Sequence, residues 1–140
     1  MSCSIDTMYP EHKIAKSFES ARRVILAMGT GYTGRNTMGL PAITIDQLRE
    51  YTQQVQGLLR GEDVLLKEGG KERWVRLIHS DQEEFINIKD PISVYLAANG
   101  PRGQQVVGEI ADGWVTTLRV RRSLEPEIAT ISDAAGRAGR

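Results

Sequence analysis

Residues Val94–Gly103 read VYLAANGPRG, an apolar run that ends in two alanines and then turns abruptly through Asn99, Gly100 and Pro101. Helix chemistry explains the change. Pro101 suits the first helical position, because its missing N–H would have had no partner inside the helix. Gly100 then stands as the N-cap, and the N–H groups of Arg102 and Gly103 point out of the helix start. Such groups bind anions. The helix dipole favours negative charge, Ala97, Ala98 and Gly100 have no bulk to obstruct a phosphate, and Arg102 adds a guanidinium. Taken alone, the same residues also read as a tight turn with a good cap.

Downstream, Pro101–Ala111 continues as a helix, DGWVTT (Asp112–Thr117) as a strand and Pro126–Ala135 as a last helix. Gly108 falls inside the first of these, where glycine costs about 0.8–1 kcal/mol relative to alanine. A close helix–strand approach is expected to offset that cost. Upstream, Ile14, Phe18 and Ala21 share one face of a helix that starts near Pro10-Glu11, and RVILAM (Arg23–Met28) follows as a buried strand. The next stretch, GTGYTGRNTMGLPA, carries Gly29, Gly31, Gly34, Gly39 and Pro41 and is expected to be a long loop. Long ordered loops are usually functional.

A helix restarts at Thr44, where Thr44-x-x-Gln47 fits a capping box. Ile45, Leu48, Thr52, Val55 and Leu59 form its buried stripe until Gly61 stops it. Between Gly61 and Asp90, apolar stretches on either side of Gly69-Gly70 suggest a hairpin. Ile92–Ala97 is the second buried strand. Apolar strands separated by helices imply parallel pairing with both faces covered, so the class is α/β, either doubly wound or a barrel.

Composition narrows the function. The chain has 140 residues, 40% of them hydrophobic and 26% charged, enough for one ordinary domain. Lys+Arg and Asp+Glu stand at 18 each, so no global field recruits nucleic acid or an anionic membrane. Cys3 has no partner for an internal disulfide, and His12 and His79 are too far apart in sequence for metal-ligand spacing. MSCSIDTMYPEHK (Met1–Lys13) shows no leader pattern, and no window approaches a membrane span. The expected location is the cytoplasm.

Three motifs in order resemble the luciferase-like monooxygenases, the bacterial luciferase-type flavin or F420-dependent oxidoreductases. RVILAMGTGYTGRNTMG (Arg23–Gly39) is similar to the family's strand and Gly-x-Gly loop. YTQQVQGLLRGEDV (Tyr51–Val64) is similar to its helix and Gly-Glu step. VYLAANGPRGQQVVGEIADGWVTT (Val94–Thr117) is similar to its strand, Gly-Pro phosphate turn, Glu-Ile-Ala-Asp-Gly helix end and next strand. One departure is Arg22-Arg23, where the family has Gly-Arg. The resemblance implies a (β/α)8 TIM-barrel of which residues 1–140 form a single partial unit, since a complete barrel has about 250 residues.

It further implies FMN or a deazaflavin, coenzyme F420, as cofactor. The cofactor phosphate or ribityl tail is assigned to Asn99, Gly100, Arg102 and Gly103, and the ring or ribityl end to Thr30, Gly31 and Arg35. No acid–base residue follows from the motifs. The implied function is a flavin- or deazaflavin-dependent oxidoreductase or monooxygenase acting on a small organic molecule, in truncated or split form. The alternatives are a non-catalytic remnant that keeps a phosphate or cofactor site, and an unrelated phosphate-binding α/β domain. Open strand edges lead to an expectation of self-association or a complementing chain.

Overall fold

A computed structural model describes residues 24–68, 70–78, 88–117 and 123–140. The helix expected from Pro10, with Ile14, Phe18 and Ala21, lies outside the described residues, as do Arg22-Arg23, Cys3, His12 and His79. The elements are β1 (Ile25–Gly29), α1 (Tyr32–Thr37), α2 (Ile45–Leu59), β2 (Val64–Glu68), β3 (Lys71–Val75), β4 (Ser93–Ala97), α3 (Pro101–Ile110), β5 (Gly113–Trp114) and α4 (Glu125–Arg137).

β4 is the centre of a parallel sheet of order β1-β4-β5. β1 pairs with it from Ile25↔Ser93 to Gly29↔Ala97, and β5 through Tyr95↔Gly113 and Leu96↔Trp114. The third strand is shorter than the sequence suggests. It is held at both ends, by the Asp112 and Val115 N–H groups donating to the carbonyls of Val94 and Leu96, each at 2.9 Å. Asp112 also accepts from the Val94 N–H at 2.9 Å, so this turn closes reciprocally on the start of β4.

Alternation in β4 decides where the core lies. Val94, Leu96 and Ala98 are buried on one face, where Leu96 and Ala98 cluster with Leu48 of α2 and with Val106 and Val107 of α3. Met28 of β1 joins the same cluster, in register with Leu96. The opposite face is less covered: Ile25 is 52% exposed and Ala27 is exposed, so among the described residues only one face is packed by helices. That corrects the expectation of two covered faces, for which apolar content alone was the guide.

The start of α2 is the capping box read from the sequence. The Gln47 N–H donates to Thr44 Oγ1 at 3.1 Å, and the Thr44 N–H donates to Gln47 Oε1 at 2.9 Å. Leu48 and Thr52 are fully buried, and the Thr52 hydroxyl donates to the Leu48 carbonyl at 2.7 Å. Gly61, at φ 75°, ends the helix in the left-handed region. Past it Arg60 donates twice to Glu62, at 2.7 and 2.8 Å. Those hydrogen bonds chiefly hold the exposed Glu62 carboxyl below its ordinary range. Its contribution is therefore present above the unfolded carboxyl pKa and fades as the pH falls through the lowered one. β2 and β3 form the expected antiparallel hairpin, joined to α2 by Gln54 Nε2 donating to the Leu65 carbonyl at 3.2 Å. Arg49 of α2 pairs with Glu109 of α3, and Gln56 Nε2 donates to the Ile110 carbonyl at 2.7 Å.

The glycine-rich stretch is not all loop. Gly31, at φ 70°, begins α1, and the Arg35 N–H donates to the Gly31 carbonyl at 2.7 Å. Gly39, at φ 71°, ends it, with its N–H donating to the Asn36 carbonyl at 3.0 Å and that of Leu40 to the Arg35 carbonyl at 2.9 Å. This six-residue helix buries no side chain, so it leaves no apolar period in the sequence.

Gly108 does have a close approach, but to a helix. A Cβ there would lie 2.2 Å from the Ile131 carbonyl oxygen and 2.8 Å from Ala134 Cβ, both in α4. Replacing Gly108 with Ala is expected to force α3 and α4 apart and to cost about 1–3 kcal/mol. Gly136 has open space around the same position, so Gly136→Ala is expected to raise stability by up to about 1 kcal/mol. Denaturant melts of both variants check the pair, and a neutral Gly108→Ala would contradict the packing.

Candidate functional site

Parallel pairing puts the C-terminal ends of β1 and β4 side by side, with Gly29 opposite Ala97. The space between them is tight: a Cβ on Gly29 would sit 3.1 Å from the Ala97 carbonyl oxygen. Both chains then turn away, and between the two turns lies an open groove of about 710 Å³. Gly29, Thr30, Gly31, Tyr32, Thr33 and Gly34 line one side, Ala97, Ala98, Asn99 and Gly100 the other, and Ile45 the base of α2. None of these carries a charge at neutral pH. Apart from Tyr32 and Ile45, the groove therefore presents backbone groups and small side chains, as loops at the C-terminal ends of parallel strands do.

Two side chains fix the Ala98–Gly100 turn from behind. Trp114 Nε1 donates to the Ala98 carbonyl at 3.2 Å, and Gln104 Nε2 donates to the Asn99 carbonyl at 3.0 Å. Gln104 is 5% exposed, and its amide is directed at this turn. With both carbonyls engaged, the turn is held in one orientation. The Thr30 carbonyl is tied similarly, accepting from the Ile43 N–H at 3.0 Å.

Gly100 is the N-cap of α3, at φ −83° and ψ 159°, with Pro101 following and no side chain capping the helix. That backbone is extended, which any residue adopts, and a Cβ on Gly100 would meet nothing within 4 Å. The glycine leaves open space here, as its lack of bulk suggests, rather than satisfying a backbone requirement. Gly103 is the constrained position: its Cβ would stand 2.8 Å from Ala98 Cβ.

Of the seven residues singled out from the sequence, Thr30, Gly31, Asn99 and Gly100 line the groove together. Gly103 is buried behind the turn. Arg102 turns toward α2, with Nη2 at 2.7 Å from each carboxylate oxygen of Asp46. Arg35 packs under Gly31 and donates from Nε to the Pro41 carbonyl at 2.6 Å, holding the loop's return. It lines a neighbouring groove of about 670 Å³ with Thr30, Gly31, Gln47, Tyr51 and the hairpin's Leu66. The sequence reading omitted Gln104, Trp114 and Asp46. Only Asp46 left a signal, as an acid in the first turn of a capped helix.

A cofactor phosphate fits the chemistry of this edge. The first-turn N–H groups of α3 have no partners within the helix and no side-chain cap, Gly100 leaves room, and a cation stands two residues on. Among the described residues, no three of His, Cys, Asp and Glu are grouped to hold a metal, and no helix is long and apolar enough to cross a membrane.

The arrangement is a loop-lined edge at the C-terminal ends of parallel strands in an α/β fold, and comparison with known proteins gives the family. The profile of the luciferase-like monooxygenases matches residues 20–140, and the chain belongs to that family. Its members use flavin or F420 cofactors. Among solved structures, the chain is similar to the coenzyme F420-dependent tetrahydromethanopterin reductase of Methanopyrus kandleri, at 21% identity and a TM-score of 0.58. The match covers 96% of this chain and 44% of the reductase, so the chain spans less than half the length of that enzyme. The fold is thus part of a (β/α)8 barrel. No curated protein matches the chain.

Gly103→Ala is expected to push the turn from the helix and to lower stability by about 1–3 kcal/mol. Gly100→Ser, by contrast, supplies a better cap on an extended backbone and is expected to raise stability by a few tenths of a kcal/mol, roughly. Thermal melts of the two variants distinguish these positions.

Proposed function

We propose that this chain is a flavin- or deazaflavin-dependent oxidoreductase of the luciferase-like family, with the phosphate end of FMN or F420 at the start of α3. The observation that carries this reading is the groove shared by the Thr30–Gly34 and Ala97–Gly100 turns. Asn99 and Gly100 shape the anion's seat, the N–H groups of Arg102 and Gly103 face it, and the Arg102 guanidinium supplies charge. Thr30 and Gly31 lie toward the ribityl or ring end, with Arg35 supporting their loop. When bound, such a cofactor supplies two-electron redox chemistry. The chain's own residues bind it, orient it and limit water. The substrate is a small organic molecule, and the setting is cytoplasmic.

A second reading is supported by the lining itself. Among the described residues around the groove, Tyr32 is the only titratable side chain. That suits a module which holds the cofactor and depends on other strands for turnover. Among the described residues β1 and β5 are both sheet edges, and Val24 and Ile25 are 58% and 52% exposed. Self-association or a complementing chain would cover these edges.

Fluorescence titration with FMN and with F420 tests the site. Arg102→Ala is expected to weaken binding by about 1–2 kcal/mol, at the low end for a charge-assisted contact because the side chain is largely exposed. Binding that is tight and indifferent to Arg102→Ala and Gly100→Val would place the anion elsewhere. Stopped-flow turnover with reduced cofactor separates the enzyme from the holding module. In sedimentation velocity, the 140-residue chain is expected to run larger than a monomer, and a stable dilute monomer would remove the partner proposal.

A further inference from the structure

We propose that Asp46 tunes the anion affinity of the groove by competing with the incoming phosphate for Arg102. The inference rests on the cofactor reading above and names what regulates that site. Asp46 is the second residue of α2 and Arg102 the second of α3, so their ion pair joins two helix starts. The residues just before them, Ile45 and Gly100–Pro101, border the groove, and Ile45 and Gly100 line it. The 11 lining residues include no Asp, Glu, Lys, Arg or His. The Arg102–Asp46 pair therefore places, at the start of α3, charge that the lining itself does not supply.

In this structure, one Arg102 nitrogen is shared by both Asp46 oxygens. An anion at the α3 start must draw the guanidinium away or share it, and must also tolerate the carboxylate beside it. The pair is exposed, at 69% for Arg102 and 67% for Asp46, so it is cheap to break and exacts only a small penalty. A phosphate monoester, with up to two charges and three oxygens for the helix N–H groups, overcomes that penalty more readily than a single carboxylate. Asp46 thus raises the threshold for weak anions and leaves the seat to phosphate.

The test titrates the full chain with FMN and with F420, each beside its phosphate-free analogue, riboflavin or 8-hydroxy-5-deazariboflavin. Asp46→Asn is expected to tighten the phosphorylated cofactor about two- to fivefold, the range set by an exposed ion pair, and to leave the phosphate-free analogue unchanged. In the Arg102→Ala background, Asp46→Asn is expected to tighten binding less than it does with Arg102 present, because the competition vanishes with the group competed for and only repulsion by an exposed carboxylate is left to relieve. Asp46→Ser repeats the charge removal with a different side chain, and melts verify that the Thr44 cap still holds α2. If Arg102→Ala weakens binding while both Asp46 variants leave it unchanged or weaken it, this inference is overturned and the cofactor reading stands. If Arg102→Ala changes nothing, or no cofactor binds, the reading itself fails and the inference with it.

Discussion

The structure depends on the burial of one side of one strand. Leu96 of β4 has no exposed surface and Val94 has 1%, and with Ala98 they form a row that helices must cover. Leu48 from α2 and Val106 and Val107 from α3 cluster with Leu96 and Ala98 of that row. Burying side chains of this size stabilises by about 1.5–3 kcal/mol each, more than any of the exposed ion pairs contributes. Once that row is covered, β4 is fixed in depth and direction. β1 and β5 follow by parallel pairing, and α4 docks on α3 where Gly108 lets the backbones approach.

The position of the groove is a consequence of that core. Because β1 and β4 run in parallel and end at the paired Gly29 and Ala97, both following turns emerge on one edge. The turns are then held from behind, by Gln104 and Trp114 on one and Ile43 on the other. A site made this way is rigid in its backbone and nearly free of titratable side chains. Such a site suits a ligand that brings its own reactivity, since the protein then needs only to place it and to manage its charge.

Charge management falls to residues outside the lining. Arg102 and Asp46 carry opposite charges that offset one another locally while paired, so what the proposed seat would present to an anion depends on the partner Arg102 keeps. Exposed pairs separate readily, which makes the arrangement adjustable. By contrast, Arg49 with Glu109 and Gln56 with the Ile110 carbonyl join α2 to α3 lower down, in partly buried positions that hold the helices together.

The sequence by itself determined what local rules govern. Thr44-x-x-Gln47 specified the start of α2, Gly61 its end, Gly69-Gly70 the hairpin and Asn-Gly-Pro the turn into α3, because each depends on residues within one turn of helix or one loop. The periods of 2 and 3.6 gave the alternation of strands and helices, and the three motifs gave the family. Only the tertiary structure decided the contacts between distant segments. Gly108 offered the same signal whether its neighbour was a strand or a helix, and α4 had to dock before Ile131 and Ala134 could claim it. α1 buries nothing and so left no pattern. Arg102 and Asp46 are 56 residues apart, and nothing near either in the chain indicates the other. Side-chain partners across such distances follow from which face of β4 the helices cover, and that is settled by packing.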